Sequence, residues 1–486
     1  MRNTEETRRS RHTRRFGGAA AFAAAFIAQH AGAVALSPHG VGQALIYPYY
    51  TVNKNQDTLL SVTNASDVGK AIQMRFREGM NGRDALSFVL FLGAHDTWTA
   101  ALSAIEDESV RITTSDKSCT LPEFPAEGTN FRTAAFDGTG VTPADGGPPN
   151  PQRTREGFFE MIVGGDVTAG SATDEAIESR PNLYPPSCTV DKNSFANDLE
   201  DSTGGVYGTA AIVDVGTGTF FGYNADALEG LSDDVMFVPG NPYPGPELND
   251  ASNNEGVAGA ARAWVTTNDG HGIGIDYAAG IDAVSAVFMT DAIYNDYIVS
   301  QSIGANTDWI VTFPTKEFYV DSLYGAVPRK PFDAAFQSGQ APVIVGGQVF
   351  DRDQMENPFD GDCGGNCPPA WLPWQVNVVG FGGVADGFTS RVLGSGLEAT
   401  YMPTVGESGH ALLWLKDPDD ARVLAGGKSA QNGQEVRLHG LPATGFMVYN
   451  IVNANASPGM LANYSGAFPH RRTLDCEAAT RGCRTH

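Results

Sequence analysis

The stretch Thr307-Asp-Trp-Ile-Val-Thr-Phe-Pro-Thr-Lys-Glu-Phe-Tyr-Val-Asp321 admits few ways of folding. Trp309, Val311 and Phe313 fall on one side of an extended chain and Ile310 and Thr312 on the other, the period-two pattern of a strand buried on at least one face. Pro314 has no N–H to donate and ends the ladder. A second aromatic and β-branched run, Phe318-Tyr319-Val320, follows, so the pair reads as a hairpin or bulged corner at the heart of a sheet.

Short apolar runs separated by turn residues precede it. Ala44 to Thr51, Leu59 to Asn64, Ala71 to Glu78, Leu86 to Leu92 and Trp98 to Leu102 recur with Gly, Asn, Asp and Ser between them. This spacing predicts a mainly β chain built of immunoglobulin-like β-sandwich units with long loops, and the alternation in Ala71 to Glu78 predicts a half-exposed strand. From Cys119 to Ser202 Pro, Gly, Asp, Asn and Thr dominate around one strand-like run, Gly157 to Val163. A long decorated excursion is expected there, then a returning hairpin over Val206 to Tyr223.

Ile281 to Ser300 is the segment with helical spacing. Val284, Val287, Phe288, Tyr294, Ile298 and Val299 share one face, with Asp291 and Asn295 on it as caps of a neighbouring loop, so one packed helix is expected. Further strands are expected at Val343 to Val349, Gln375 to Gly380, Gly396 to Met402, Ala411 to Leu415, Glu435 to Leu438 and Gly445 to Val452. The implied organisation is an N-terminal sandwich domain over 36–335, a C-terminal sandwich-like domain over 336–470, and a basic, Cys-containing tail over 471–486 folding back on an acidic body.

Arg2, Arg8, Arg9, Arg11, Arg14 and Arg15 precede the small-residue apolar run Phe16 to Ala31 and then Ala33-Val34-Ala35, the order of a secretory signal peptide with cleavage expected after Ala35. No later run approaches the roughly 20 apolar residues of a spanning helix. The turn clusters are too long and irregular for an outer-membrane barrel. Loss of residues 1–35 removes six Arg and two Glu and takes the net charge from −24 to −28, which disfavours nucleic acid as a partner. The expected location is beyond the inner membrane, whether periplasmic, outer-surface or extracellular, and the expected partner is a surface or extracellular ligand.

Cysteine usage fits export. Cys119, Cys188, Cys363, Cys367, Cys476 and Cys483 allow 15 pairings. Sequence neighbours make the simplest set: Cys119 with Cys188, Cys363 with Cys367, and Cys476 with Cys483. Cys363 and Cys367 as a metal or redox site is the rival reading, but it has no neighbouring His or second Cys pair.

The segments Leu45-Ile-Tyr-Pro-Tyr-Tyr-Thr-Val52, Lys70 to Glu78, Asp96-Thr-Trp-Thr99 and Thr307 to Asp321 together resemble a family of uncharacterised secreted and surface proteins of Gram-negative bacteria. The resemblance spans much of the chain after the leader and implies export and an envelope setting. It brings no activity, cofactor or catalytic residue to carry over.

Catalytic patterns are sparse. There is no Gly-x-Ser-x-Gly elbow and no His-Glu-x-x-His zinc motif. Gly406-Glu-Ser-Gly-His410 comes nearest to a serine hydrolase, but no acid is placed beside Ser408 and His410, and a turn is the simpler reading. Carboxylates cluster at Glu106 to Glu108, Asp198 to Asp201, Asp233-Asp234 and Asp417 to Asp420, while Asp250-x-Ser252-x-Asn254 and Gly272-x-Gly274-x-Asp276 resemble fragments of calcium loops. Solvated acidic turns are the simpler reading at each, so no cofactor is expected beyond weak calcium binding at loops holding Asp250, Asp276 or Asp417. The functional expectation is an exported binding, adhesion or surface-structural protein without catalysis. A secreted hydrolase of carbohydrate or ester is the alternative.

Overall fold

The computed structural model describes residues 32–106, 108–178, 188–241, 243–254, 259–359, 370–382, 390–417, 419, 421–457 and 460–484. The fold is mainly β, with antiparallel sheets packed as sandwiches. The first fourteen strands, β1 (Ala35–Leu36), β2 (Ala44–Thr51), β3 (Asp57–Asn64), β4 (Lys70–Glu78), β5 (Asp84–Leu92), β6 (Thr97–Ala104), β7 (Val110–Thr113), β8 (Cys119–Leu121), β9 (Thr129–Asn130), β10 (Glu156–Val167), β11 (Leu199–Glu200), β12 (Val206–Asp214), β13 (Thr219–Asn224) and β14 (Asp226–Glu229), build two facing sheets. One runs β1-β14-β2-β10-β4-β5-β8, with β11 on β10, and the other runs β13-β12-β3-β6-β7-β9. Alternate residues point inward, among them Ile72, Met74 and Phe76 of β4, Leu60 and Val62 of β3, and Trp98 of β6, and together they fill one core.

The rest of the chain adds three larger sheets. One orders β15 (Ala261–Thr266) and β16 (Gly272–Tyr277) beside β26 (Val423–Ser429), β27 (Glu435–His439) and β32 (Asp475–Glu477). The next has the order β21-β20-β25-β18-β31, made of β18 (Ala292–Ile298), β20 (Val343–Asp351), β21 (Glu356–Phe359), β25 (Ser408–Trp414) and β31 (Arg471–Thr473), with β22 (Ala370–Leu372) also on β20, and a separate short pair joins β17 (Met289–Thr290) to β28 (Leu441–Pro442). The third, β24-β23-β19-β29-β30, contains β19 (Ala305–Thr312), β23 (Val376–Gly382), β24 (Glu398–Pro403), β29 (Thr444–Ser457) and β30 (Met460–Pro469). Each joins strands from before residue 335 to strands after 336, so the boundary expected there lies inside a jointly built core. Two-sheet closure is already complete by Glu229, which is where strand pairing divides. The segment β31–β32 does fold back, on β18 and β27.

Three sequence expectations are corrected. The helix expected over Ile281 to Ser300 spans only Gly280–Phe288, and the remainder is strand: β18 pairs along its whole length with β25. Tyr294, Ile298 and Val299 matched a helical face by chance, and cross-strand pairing outweighed that match. Phe318-Tyr319-Val320 is not a second strand but part of a helical turn, Glu317–Val320, whose Lys316 and Phe313 carbonyls accept from Tyr319 and Lys316.

The third correction concerns β4, which is buried along its full length instead of half exposed. Its outward residues Arg75 and Arg77 are each 1% exposed because the 244–247 segment and the Glu317 turn cover them. Arg77 donates to Glu160 of β10 at 2.8 Å and to Glu317 at 2.9 Å, while Arg75 reaches Asp84 at 2.5 Å. Two further bidentate pairs extend the network: Arg83 with Asp321 at 2.6 and 3.0 Å, and Arg153 with Glu78 at 2.7 and 2.9 Å. Burial pushes the Glu160 and Glu317 carboxyls up, and the Arg77 guanidinium beside both, helped at Glu160 by Arg75, only partly offsets that desolvation.

Ala33-Val34-Ala35, expected to leave with the leader, is built into the fold. Val34 is fully buried in the second core, and it exchanges backbone bonds of 2.8 Å with Arg262 and Trp264. A chain starting at Leu36 should therefore melt below one starting at Gly32, by the ~1.5–3 kcal/mol of a buried Val and more for the two lost strand bonds. Equal melting temperatures would refute this.

Glu317 supplies a pH test. A carboxyl held above its unfolded value of about 4.3 contributes stability that is complete below that value and is lost as pH rises through the folded value. Glu317→Gln cannot titrate, so its stability relative to the parent should rise from pH 4.5 toward neutrality, by at most about 1.4 kcal/mol per pH unit. Denaturant melts across that range would show a flat or falling difference if the argument is wrong.

Candidate functional site

The outward face of the sheet β13-β12-β3-β6-β7 carries small and hydroxylated side chains at alternate positions: Leu59, Ser61 and Thr63 on β3, Thr97, Thr99 and Ala101 on β6, and Tyr207, Thr209 and Ala211 on β12. Strand register aligns them into rows that run across the strands. Asn224, Thr209, Ser61 and Thr99 form one row, each directly opposite the next. Gly222, Ala211, Leu59, Ala101 and Thr113 form the neighbouring row. The first is a line of hydrogen-bonding groups, with Ser61 and Thr209 hydroxyls 2.9 Å apart; the second is an apolar trough.

The β29–β30 hairpin stands beside this face and turns it into a groove of about 1060 Å³, slightly above the usual range for a small-ligand site. The hairpin is docked by Tyr223, whose ring stacks on Phe446 at 4.5 Å, and by the Ser465 hydroxyl, which accepts from the Phe220 N–H at 3.0 Å and donates to the Phe220 carbonyl at 2.9 Å. Phe220 is 57% exposed and lies over Gly222, where a Cβ would crowd its ring. Behind the groove, Tyr47 passes its hydroxyl between strands to the Ser61 carbonyl at 2.8 Å. Gly208 is required there, since a Cβ at that position would land on the Tyr47 oxygen.

Asp226 is the single charged residue among the described residues lining the groove. Its carboxylate accepts from the Thr444 hydroxyl, and burial raises its pKa while the Arg472 charge opposes the rise. Glycoside hydrolysis needs two opposed carboxyls about 5–9.5 Å apart, and the described residues of the lining supply one.

The residues picked from sequence lie elsewhere. Cys119–Cys188 and Cys476–Cys483 are disulfides, pairing as neighbours, whereas Cys363 and Cys367 lie outside the described residues. Ser408 and His410 lie on β25, where His410 stacks on Phe350 at 4.9 Å instead of serving Ser408. Asp250 caps a short 3-10 turn by accepting from the Glu247 N–H at 2.8 Å. Gly272 and Gly274 belong to strand β16, not to a calcium loop, and Asp276 is paired with Arg262 at 2.6 Å. Asp417 accepts the Asp419 N–H at 2.8 Å and lies 3.8 Å from Arg422. Asn295 ties β18 to the end of β30 through the Phe468 carbonyl at 3.0 Å. Among the described residues, no group of three or more His, Cys, Asp or Glu is arranged to hold a metal ion.

The groove residues were not singled out from sequence. Their only signal is the i, i+2 recurrence of Thr, Ser and Ala in three separate strands, and it acquires meaning only when register sets the strands side by side. The chain matches no protein-family model, no curated protein and no solved structure at a significant level.

Gly208→Ala should destabilise the sheet behind the groove by about 1–3 kcal/mol through overpacking, and Tyr47→Phe in the same chain should restore part of it. A double-mutant cycle with no coupling between the two would separate Gly208 from the Tyr47 hydroxyl.

Proposed function

We propose that the protein is an exported binding protein of the bacterial envelope or extracellular space, and that the groove on the outer face of its first sandwich holds the ligand. The observation that carries this reading is the groove's lining, which offers one row of hydroxyl and amide groups, a trough of apolar side chains and an exposed aromatic ring, with one half-buried, hydrogen-bonded carboxylate among the described residues. Such a surface can orient a ligand, and its described residues supply no paired acid and base of the kind that turnover requires. Export is supported by the charged-then-apolar order of the first residues and by the two disulfides, bonds that persist in oxidising compartments.

The purified chain, offered chromogenic esters and a panel of polysaccharides, should retain a ligand without converting it. Turnover abolished by changing one carboxylate or one Ser would replace this reading with the hydrolase alternative.

A further inference from the structure

We infer that the groove takes a linear, uncharged glycan lying across the strands, a conclusion that rests on the binding reading above and names its ligand class. The argument starts from spacing. Neighbouring strands lie about 4.8 Å apart, so the row Asn224, Thr209, Ser61, Thr99 presents a polar group at about every 4.8 Å over about 14 Å. The rings of a linear glycan repeat on a scale close to one strand spacing, and each ring carries hydroxyls on its rim and C–H groups on its faces. Rim hydroxyls meet the polar row while a ring face lies on Ala211, Leu59 and Ala101 of the trough, closed at one end by the Phe220 ring.

An extended peptide fits the same row poorly. Its side chains return to one face about every 6.6–6.8 Å, so the second one already falls between two groups of the row and at most every other contact can be made. Charge narrows the choice further. Charged residues make up 18% of the chain, yet the described lining contains no Lys, Arg or His and one acid, Asp226, which is already bonded to Thr444. No cationic side chain of the described lining offsets an anionic ligand's desolvation, and the net charge of −24 repels it at a distance.

The test is calorimetric titration of the full chain with neutral β-linked hexasaccharides of glucose, N-acetylglucosamine and xylose, an alginate hexamer, and an extended Thr/Ser-rich peptide. At least one neutral hexasaccharide should bind, with affinity rising with chain length and levelling beyond about four rings, the width of four strands. Ala211→Trp fills the trough and should weaken binding about tenfold or more, and Thr209→Val, which keeps shape and removes one hydroxyl, should weaken it by about threefold or more. Thr97→Val, on the same face but outside the groove lining, should leave affinity unchanged. Glycan binding untouched by Ala211→Trp would overturn the assignment. Binding of the peptide or alginate alone, lost in Ala211→Trp, would overturn the glycan class and leave the groove as a binding site. Retention of none of the probes would overturn both, and hydrolysis of a bound hexasaccharide would keep the class while refuting a purely binding role.

Discussion

Arg77 holds together parts of the chain that are otherwise far apart in sequence. Its guanidinium sits in the outer face of the first sandwich, bonded to Glu160 on the neighbouring strand and to Glu317 at the turn that follows β19. With Arg83–Asp321 and Arg153–Glu78, it gives the later sheets one orientation on the sandwich, because each planar fork accepts carboxylates from few directions. Such pairs add little net stability over an apolar contact of the same shape. Removing one partner is far costlier, since it strands a buried charge. The network therefore acts chiefly on the specificity of docking.

A second set of buried carboxylates continues this joint. Asp308 of β19 accepts from the Ser390 hydroxyl at 2.6 Å and from the Val392 and Leu393 N–H groups at 3.0 Å, and Glu156 of β10 accepts from the Ser395 hydroxyl at 2.5 Å and the Gly396 N–H at 2.7 Å. The 390–396 loop is thus held from both sides, and Val392, Leu393 and Leu397 fill an apolar cluster with Tyr49, Phe158, Ile310 and Phe446. Since Phe446 also carries the Tyr223 stack, the same packing that joins the two parts stations the β29–β30 hairpin beside the threonine-rich face. The groove follows from that docking.

The strand runs were legible because period-two patterning depends on burial of one face, a local property. Ala44 to Thr51, Leu86 to Leu92 and Gly445 to Val452 all emerge as strands, and Cys119 with Cys188 and Cys476 with Cys483 pair as sequence neighbours suggested. Patterning failed where it had to decide what covers a face. In β4 the polar residues looked solvated, yet ion pairs from residues up to 240 positions away bury them. Over Ala292–Ile298 a helical match was overruled by partners on β25 and β31.

The sequence by itself therefore determined a mainly β chain, most of its strand positions and an acidic balance, while the pairing of Cys119 with Cys188 and of Cys476 with Cys483 was one of 15 possible sets until the structure chose it. Only the tertiary structure decided which strands are neighbours, that Arg75 and Arg77 are buried, and that Thr99, Ser61, Thr209 and Asn224 stand in one row. The reason is that periodicity records which residues of a single strand share a face. Register and docking depend on contacts between distant segments, and those contacts leave no periodic trace in any one of them.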